Sequence, residues 1–266
     1  MRYLGTNTIG YPESRNFVDL PYENFRFKKA LSLSKFPAYL SEKILRKHSQ
    51  FYWNQFIDFD LNNVELFHFF NGISHGSKPW LTTFETSLPR WGGRKTLKGL
   101  QLLSGDSCKK IIALSDNAKL IQMEKISKHY PAFCDEIEHK LMVLKPSQRT
   151  FENYAYKKGL GTNTIKFVFI GSDFFRKGGL EILRSFDSLG PLYADRWHLT
   201  VISNLSYGDY ASQSTLKCYQ EANLIMNRLA KNVTHYRYLP NHDVIKVLQN
   251  SHIGLLPTYA DTFGYS

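Results

Sequence analysis

Residues 252–266 read HIGLLPTYADTFGYS, a short apolar run followed by a turn that contains Pro, an acid, Phe and Gly. A continuous apolar run of this length, bounded by turn residues, predicts a buried strand. Open α/β sheets bind ligands outside the carboxyl ends of their strands. The segment from Pro257 to Gly264 is therefore a candidate ligand turn. The alternative for Asp261 is an Asx-type turn, in which Asp is common for backbone reasons.

The hundred residues before this turn alternate between apolar strands and amphipathic helices. We predict strands at 165–171, 197–203, 233–239 and 253–257, and helices at 179–189, 213–231 and 241–249. Continuous apolar strands separated by helices are typical of a doubly wound parallel sheet.

The first half of the chain repeats this pattern less regularly. Strands are predicted at 64–70, 80–85, 110–115 and 139–144, with a helix from Asp116 to about Tyr130. Residues 1–60 have weak periodicity and predict only a helix near 41–48. Residues 145–164 are polar and turn-rich, which is typical of an interdomain linker. We therefore expect two domains, at 1–150 and 151–266.

Composition excludes several classes of protein. The 266 residues are 42% hydrophobic and 21% charged, which is ordinary for a globular chain. No apolar run approaches the ~20 residues of a membrane span, and the first residues lack the apolar region of a signal peptide. Three widely spaced cysteines predict neither a disulfide framework nor a zinc ribbon. We expect a cytoplasmic protein.

The net charge of +11 is concentrated in the first half, where 22 basic side chains face 14 acidic ones, against 12 and 9 in residues 151–266. Residues 25–48 hold seven basic side chains and one acid among several aromatic residues. This segment suits a peripheral contact with an anionic membrane or a lipid-linked acceptor; a solvated basic face is the alternative. Pro37 argues against one long amphipathic helix. No nucleic-acid recognition motif is present, so we expect no nucleic-acid partner.

Residues 165–181 read IKFVFIGSDFFRKGGLE and predict a strand, a loop and the start of a helix. Gly171 at the strand tip would let a ligand approach the backbone, and Arg176 and Lys177 bring two cations to the loop. Gly178 opens a helix whose free N–H groups favour anions. The segment is a candidate diphosphate site, although it matches neither a Walker A loop nor G-x-G-x-x-G. A basic surface loop is the alternative.

Together, the loop and the turn resemble the retaining nucleotide-sugar glycosyltransferases of the GT-B fold, of the group 1 or family four type. In that family the phosphate strand ends in glycine, usually followed by arginine and then by a Lys-Gly pair. Gly171, Lys177 and Gly178 fall on this pattern. Ser172 stands where the arginine is usual, and Arg176 is the candidate replacement.

The resemblance covers about residues 64–266 and implies an α/β chain with two Rossmann-like, doubly wound parallel-sheet domains. Residues 1–150 would form the acceptor side and residues 151–266 the nucleotide-sugar side. The implied donor-diphosphate residues are Gly171, Arg176, Lys177 and Gly178, and the implied donor-sugar residues are Asp261, Phe263 and Gly264.

In the family, a strand tip of the first domain often presents a histidine to the reacting sugar. Glu85 occupies that place here, so Asp261 and Glu85 are the candidate catalytic residues. A solvated acid at a strand end is the alternative for Glu85. His68 lies within an apolar strand, where a satisfied core histidine is more common.

The implied activity is transfer of a sugar from a nucleotide-diphosphate sugar to a saccharide or lipid-linked acceptor, with retention, as in polysaccharide biosynthesis. No cofactor and no metal are expected, and we reject a metal site at Asp58-Phe59-Asp60 because the triplet precedes the first clear strand. The family's second acid, eight positions after Asp261, would lie past Ser266. This predicts a C-terminally truncated second domain, with a non-catalytic nucleotide-sugar-binding remnant as the alternative function.

Overall fold

The computed structural model describes residues 2–6, 25–46, 50–146, 163–189, 191–207 and 214–259. The chain divides into two compact units, Met1–Phe151 and Glu152–Ser266. Each unit has its own parallel sheet and its own apolar core.

The first unit is built on a six-stranded parallel sheet with the order β2-β1-β4-β6-β7-β8. The strands are β1 (Arg2–Thr6), β2 (Phe25–Lys29), β4 (Leu66–Phe70), β6 (Trp80–Phe84), β7 (Cys108–Ala113) and β8 (Leu141–Val143), and β3 (Gln55–Phe56) pairs separately with β5 (Ile73–Ser74). The helices are α1 (Lys35–Leu45), α2 (Gln50–Asn54), α3 (Lys95–Ser104), α4 (Asp116–His129) and α5 (Cys134–Lys140), with a 3-10 turn at Pro131–Phe133.

Strand β1 lies inside this sheet, between β2 and β4, although the sequence did not predict it. Its Gly5 allows the close approach, because a Cβ there would stand 2.5 Å from the ring of Phe67 on β4. Phe67 and Phe69 point into the core and are almost fully buried, as the alternation along β4 predicts. The predicted strand at 139–144 is shorter than expected, because α5 continues to Lys140.

The second unit has a four-stranded parallel sheet with the order β11-β10-β9-β12. Its strands are β9 (Ile165–Ile170), β10 (Trp197–Ile202), β11 (Val233–Tyr236) and β12 (Ile253–Leu255), and its helices are α6 (Gly179–Ser188), α7 (Leu216–Arg228) and α8 (Asn241–Gln249), with a 3-10 helix at Pro191–Arg196. The order runs outward from β9 through β10 and β11, and then returns to place β12 on the other side. Because parallel crossovers are right-handed, this reversal puts helices on both faces. The predicted doubly wound α/β class is confirmed.

In the described part of the chain, no helix combines the length and apolarity that a membrane span requires.

Candidate functional site

The candidate donor site lies where the strand order of the second unit reverses. Strand β9 pairs with β12 in parallel, with Phe167 opposite Ile253 and Phe169 opposite Leu255. The carboxyl ends of both strands therefore meet at one edge of the sheet. Such a reversal point is where open α/β sheets form their ligand crevice. The loop after β9 and the turn after β12, which are far apart in sequence, both begin here.

Lys177 lies over the glycine at the tip of β9. A Cβ at Gly171 would stand 2.5 Å from Lys177 Cδ, so only glycine leaves room for the lysine stem. The Lys177 side chain is largely buried, at 9% exposure. Phe174 and Phe175 are buried in the core beneath the loop and anchor it. The packing therefore brings the cation of Lys177 to the strand end.

Gly178 brings the same loop against the turn after β12. Its φ is +77°, and a Cβ there would stand 2.2 Å from the carbonyl oxygen of Pro257. Tyr259 donates its N–H to the Arg176 carbonyl at 2.9 Å, and Thr258 Oγ1 approaches that oxygen at 3.4 Å. The two segments singled out in the sequence are thus in direct contact.

Some charged groups and N–H donors of the loop after β9 already have partners within the loop itself. The Arg176 guanidinium forms an ion pair with the Asp173 carboxylate. Contrary to the expectation of free N–H groups, Gly178 donates to the Phe175 carbonyl at 3.1 Å, and Gly179 to that of Phe174 at 2.8 Å. The tight loop creates these acceptors, which the sequence does not reveal.

The next two N–H groups of the helix remain for a ligand. Those of Leu180 and Glu181 donate to no acceptor in the ranges that the structure describes. They belong to the first turn of α6, where the helix dipole favours negative charge. The candidate anion-binding N–H groups of this helix therefore lie two residues further along than expected.

Glu181 and Tyr259 are candidate site residues that the sequence analysis missed. The Glu181 carboxylate near the Tyr259 hydroxyl raises the pKa of Tyr259 above its usual value, because it favours the protonated hydroxyl. Glu181 Oε1 also lies 3.5 Å from Arg184 Nη1, whereas Oε2 is buried and has no partner within the described residues. The sequence features that could have indicated them are the position of Glu181 in the first turn of a helix and of Tyr259, an aromatic residue, directly after Thr258. This contact joins α6 to the turn after β12.

In the first unit, Glu85 follows the carboxyl end of β6, as its strand-tip position predicts. It is half-buried, and Oε2 lies 3.4 Å from Nη2 of Arg90, which is similarly exposed. The Glu85 carboxylate therefore accepts a hydrogen bond from Arg90 beside the strand tip.

Buried polar atoms without partners lie close in sequence to these strand ends. Asn71 follows β4 in a left-handed conformation, and its Oδ1 is buried. His75 Nε2 and Trp91 Nε1 are also buried, and the two rings stack 5.7 Å apart. None of these three atoms has a hydrogen-bond partner among the residues described. Each is a candidate ligand or water contact, because buried polar groups otherwise find partners.

His68 has the structural role that its apolar strand suggested. Its Nε2 lies 2.7 Å from Thr83 Oγ1 on the neighbouring strand. Burial lowers the pKa of His68 to about 4, so the ring is neutral at pH 7. It is a satisfied core histidine.

The Asp58-Phe59-Asp60 triplet serves the backbone. Asp58 is buried, and its Oδ2 accepts a hydrogen bond from Asn62 Nδ2 at 2.9 Å. Asn62 in turn donates to the Leu31 carbonyl at 2.9 Å. Across the described ranges, no group of three His, Cys, Asp or Glu side chains is arranged to hold a metal ion.

The donor-sugar residues predicted from the turn, Asp261, Phe263 and Gly264, lie outside the described residues. The described part of the second unit ends at Tyr259, two residues before Asp261. Their roles stay predictions.

No family model matches the sequence, and no curated protein matches it significantly. Solved structures, in contrast, are similar over nearly the whole chain. A trehalose-6-phosphate synthase, studied with bisubstrate glycomimetics for glycosyl transfer with retention, has a TM-score of 0.53 at 12% identity, covering 98% of this chain and 79% of that one. The structure described as trehalose-6-phosphate from E. coli bound with UDP-2-fluoro glucose gives the same values.

A third similar structure is WaaG, a glycosyltransferase involved in lipopolysaccharide biosynthesis. Its TM-score is 0.52 at 14% identity, covering 98% of this chain and 76% of that one. Identities this low establish the fold alone. The two parallel-sheet units and these similarities together show that the chain has the fold of the GT-B glycosyltransferases.

Proposed function

We propose that the chain is a glycosyltransferase that moves a sugar from a nucleotide-diphosphate sugar to a saccharide or lipid-linked acceptor. One observation carries the proposal. At the reversal point of the second sheet, Lys177 lies over Gly171 at the tip of β9, and its neighbours Arg176 and Gly178 lie against the turn after β12. A cation and a helix start suit a diphosphate, and the adjoining turn leads directly into the predicted sugar residues.

During the chemical step, negative charge would develop on the leaving diphosphate, next to the loop after β9. The bond between the anomeric carbon and the diphosphate oxygen breaks, and its electron pair stays on the diphosphate. The acceptor hydroxyl forms the new bond to the anomeric carbon, and its proton goes to an oxygen of the leaving diphosphate. Lys177, Arg176 and the N–H groups at the start of α6 would stabilise the leaving diphosphate, because fixed donors aimed at developing charge lower the barrier.

The sugar and the acceptor would be held by carboxylates. Asp261 would accept hydrogen bonds from donor hydroxyls, with Phe263 and Gly264 shaping the turn around the sugar. Glu85, which is paired with Arg90, would orient the acceptor hydroxyl by accepting its hydrogen bond. We infer retention at the anomeric carbon, which is supported by the similarity to a synthase studied for transfer with retention.

We place this activity in the cytoplasm. The three cysteines are free thiols, as proteins of a reducing compartment usually have. A UDP-sugar is the first donor to test, because one similar structure is bound with UDP-2-fluoro glucose.

The decisive experiment measures binding and transfer in the full chain. Calorimetry with UDP, GDP and ADP identifies the nucleotide, and mass spectrometry with the matching sugar donors and candidate acceptors detects the product. Lys177→Ala should weaken nucleoside-diphosphate binding roughly ten- to hundredfold, since a charged hydrogen bond contributes ~1.5–3 kcal/mol. Lys231→Ala is the matched control, because Lys231 is exposed in the same unit.

Three outcomes are informative. Equal affinities for Lys177→Ala and Lys231→Ala would remove the diphosphate assignment. Tight binding without sugar transfer to any acceptor would identify a nucleotide-sugar-binding protein instead of a transferase. A product whose anomeric proton shows inversion by NMR would refute retention while leaving the transferase proposal in place.

A further inference from the structure

Helix α1 carries an apolar stripe that points away from the first unit. Phe36, Leu40 and Ile44 are spaced by four residues and therefore share one face. Phe36 is 73% exposed, Leu40 45% and Ile44 67%. Tyr39, which borders the stripe, is 52% exposed, whereas Ala38 on the opposite side is fully buried. A helix on a protein surface normally turns its apolar face inward, so this orientation needs an explanation.

The backbone before the helix is fixed rather than loose. Leu31 donates its N–H to Asn62 Oδ1 at 2.8 Å, and Leu33 donates to the Ile57 carbonyl at 2.8 Å. The buried Asp58 holds Asn62 in place. Even so, Leu31 is 58% exposed and Leu33 is 41% exposed. The apolar side chains are therefore held outward by the folded core.

Pro37 does not break this helix. It lies in the first turn of α1, where N–H groups have no acceptor within the helix, so its missing donor costs no helical bond. The helix begins earlier than the sequence predicted, at Lys35 instead of near residue 41. This start adds Phe36 and Tyr39 to the exposed face.

Positive charge surrounds the stripe. Residues 25–46 contain six basic side chains and one acid, Glu42. The exposed cations are Arg26, Lys28, Lys29, Lys43 and Arg46. Apolar side chains next to cations fit an anionic lipid surface, which binds both. A second copy of the chain fits poorly, because a two-fold contact would bring the same cations face to face.

We propose that α1 and the preceding residues 31–34 form a surface, the α1 face, that binds anionic membranes peripherally. Phe36, Leu40 and Ile44 would enter the boundary between headgroups and acyl chains, and the basic side chains would contact lipid phosphates. The proposal does not depend on the donor site, since membrane binding is measured without a nucleotide sugar.

The test is sedimentation of the full chain with vesicles of phosphatidylcholine, with and without phosphatidylglycerol. The double variant Phe36→Ser/Ile44→Ser should lower partitioning to the anionic vesicles by about tenfold or more, since binding scales with buried apolar area. The matched control is Leu120→Ser, because Leu120 is 68% exposed on helix α4 of the same unit. Lys43→Gln/Arg46→Gln should weaken only the binding that phosphatidylglycerol adds.

A second measurement keeps the test informative if the double variant fails to fold. Tyr39→Trp places a reporter on the α1 face, and brominated lipids should quench it more strongly than the reporter in Leu120→Trp. Equal quenching at both positions would overturn the proposal, as would equal vesicle binding by the double variant and Leu120→Ser. Self-association in lipid-free sedimentation that the double variant abolishes, without vesicle binding, would assign the face to a second copy.

Discussion

Replacing Gly178 by alanine tests the contact between the phosphate loop and the turn after β12. The backbone at Gly178 is left-handed, with φ at +77°, a conformation that costs other residues roughly 1–2 kcal/mol. The new Cβ would also stand 2.2 Å from the Pro257 carbonyl oxygen. Because that neighbour is backbone, rotating a side chain does not relieve the overlap.

The loop and the turn must therefore separate. Separation breaks the hydrogen bond from Tyr259 N to the Arg176 carbonyl, typically worth about 1 kcal/mol. With the backbone strain, we expect the free energy of unfolding of the second unit to fall by about 2–3 kcal/mol or more. Nucleoside-diphosphate affinity should fall as well, because Lys177 is held by the same loop.

The assay is urea denaturation, with unfolding monitored by hydrogen exchange in peptides from β9 and α6. Gly254→Ala is the control within the second unit, since a Cβ there would meet open space. Gly93→Ala measures the free-energy cost of the left-handed backbone alone, because Gly93 has φ at +60° and a Cβ there would meet no atom within 4 Å. The close approach of Gly178 to Pro257 is wrong if Gly178→Ala has a free energy of unfolding within about 0.5 kcal/mol of that of Gly254→Ala and binds nucleotide normally.

Three further predictions concern individual side chains. Asp261→Asn should reduce sugar transfer far more than UDP binding, and equal losses would mean that the residue only shapes its turn. Glu85→Gln should raise the KM for the acceptor while calorimetric donor affinity stays unchanged; a change in donor affinity alone would contradict its acceptor role. Because burial lowers the pKa of His68 to about 4, the unfolded state binds a proton first as the pH falls from about 6.5. The free energy of unfolding should then decrease by up to about 3 kcal/mol between pH 6.5 and 4. In urea titrations at several pH values, His68→Gln should remove this pH dependence. His129→Gln, at an exposed histidine, is the control and should keep it.

The amino-acid sequence by itself determined the layout of the second unit. Helix α8 was predicted with the bounds that the structure shows, Asn241–Gln249, and all four strands were located. This succeeds because continuous apolar runs contrast with amphipathic helices in their periodicity. The predicted burial of the last strand is wrong, since β12 is largely exposed, with Ile253 at 42%. The segments with chemistry were also visible, since glycines and paired cations at a strand tip are local features.

Only the tertiary structure decided which residues meet. Strand β1 was missed because five residues give little periodicity, and its central place depends on Gly5 accepting Phe67 from a strand sixty residues away. The contact of Gly178 with Pro257 and the interaction of Tyr259 with Glu181 likewise join distant segments. The exposed stripe of α1 has an amphipathic sequence that fits either orientation. Periodicity shows that a helix has an apolar side, but packing decides whether that side faces the core or the solvent.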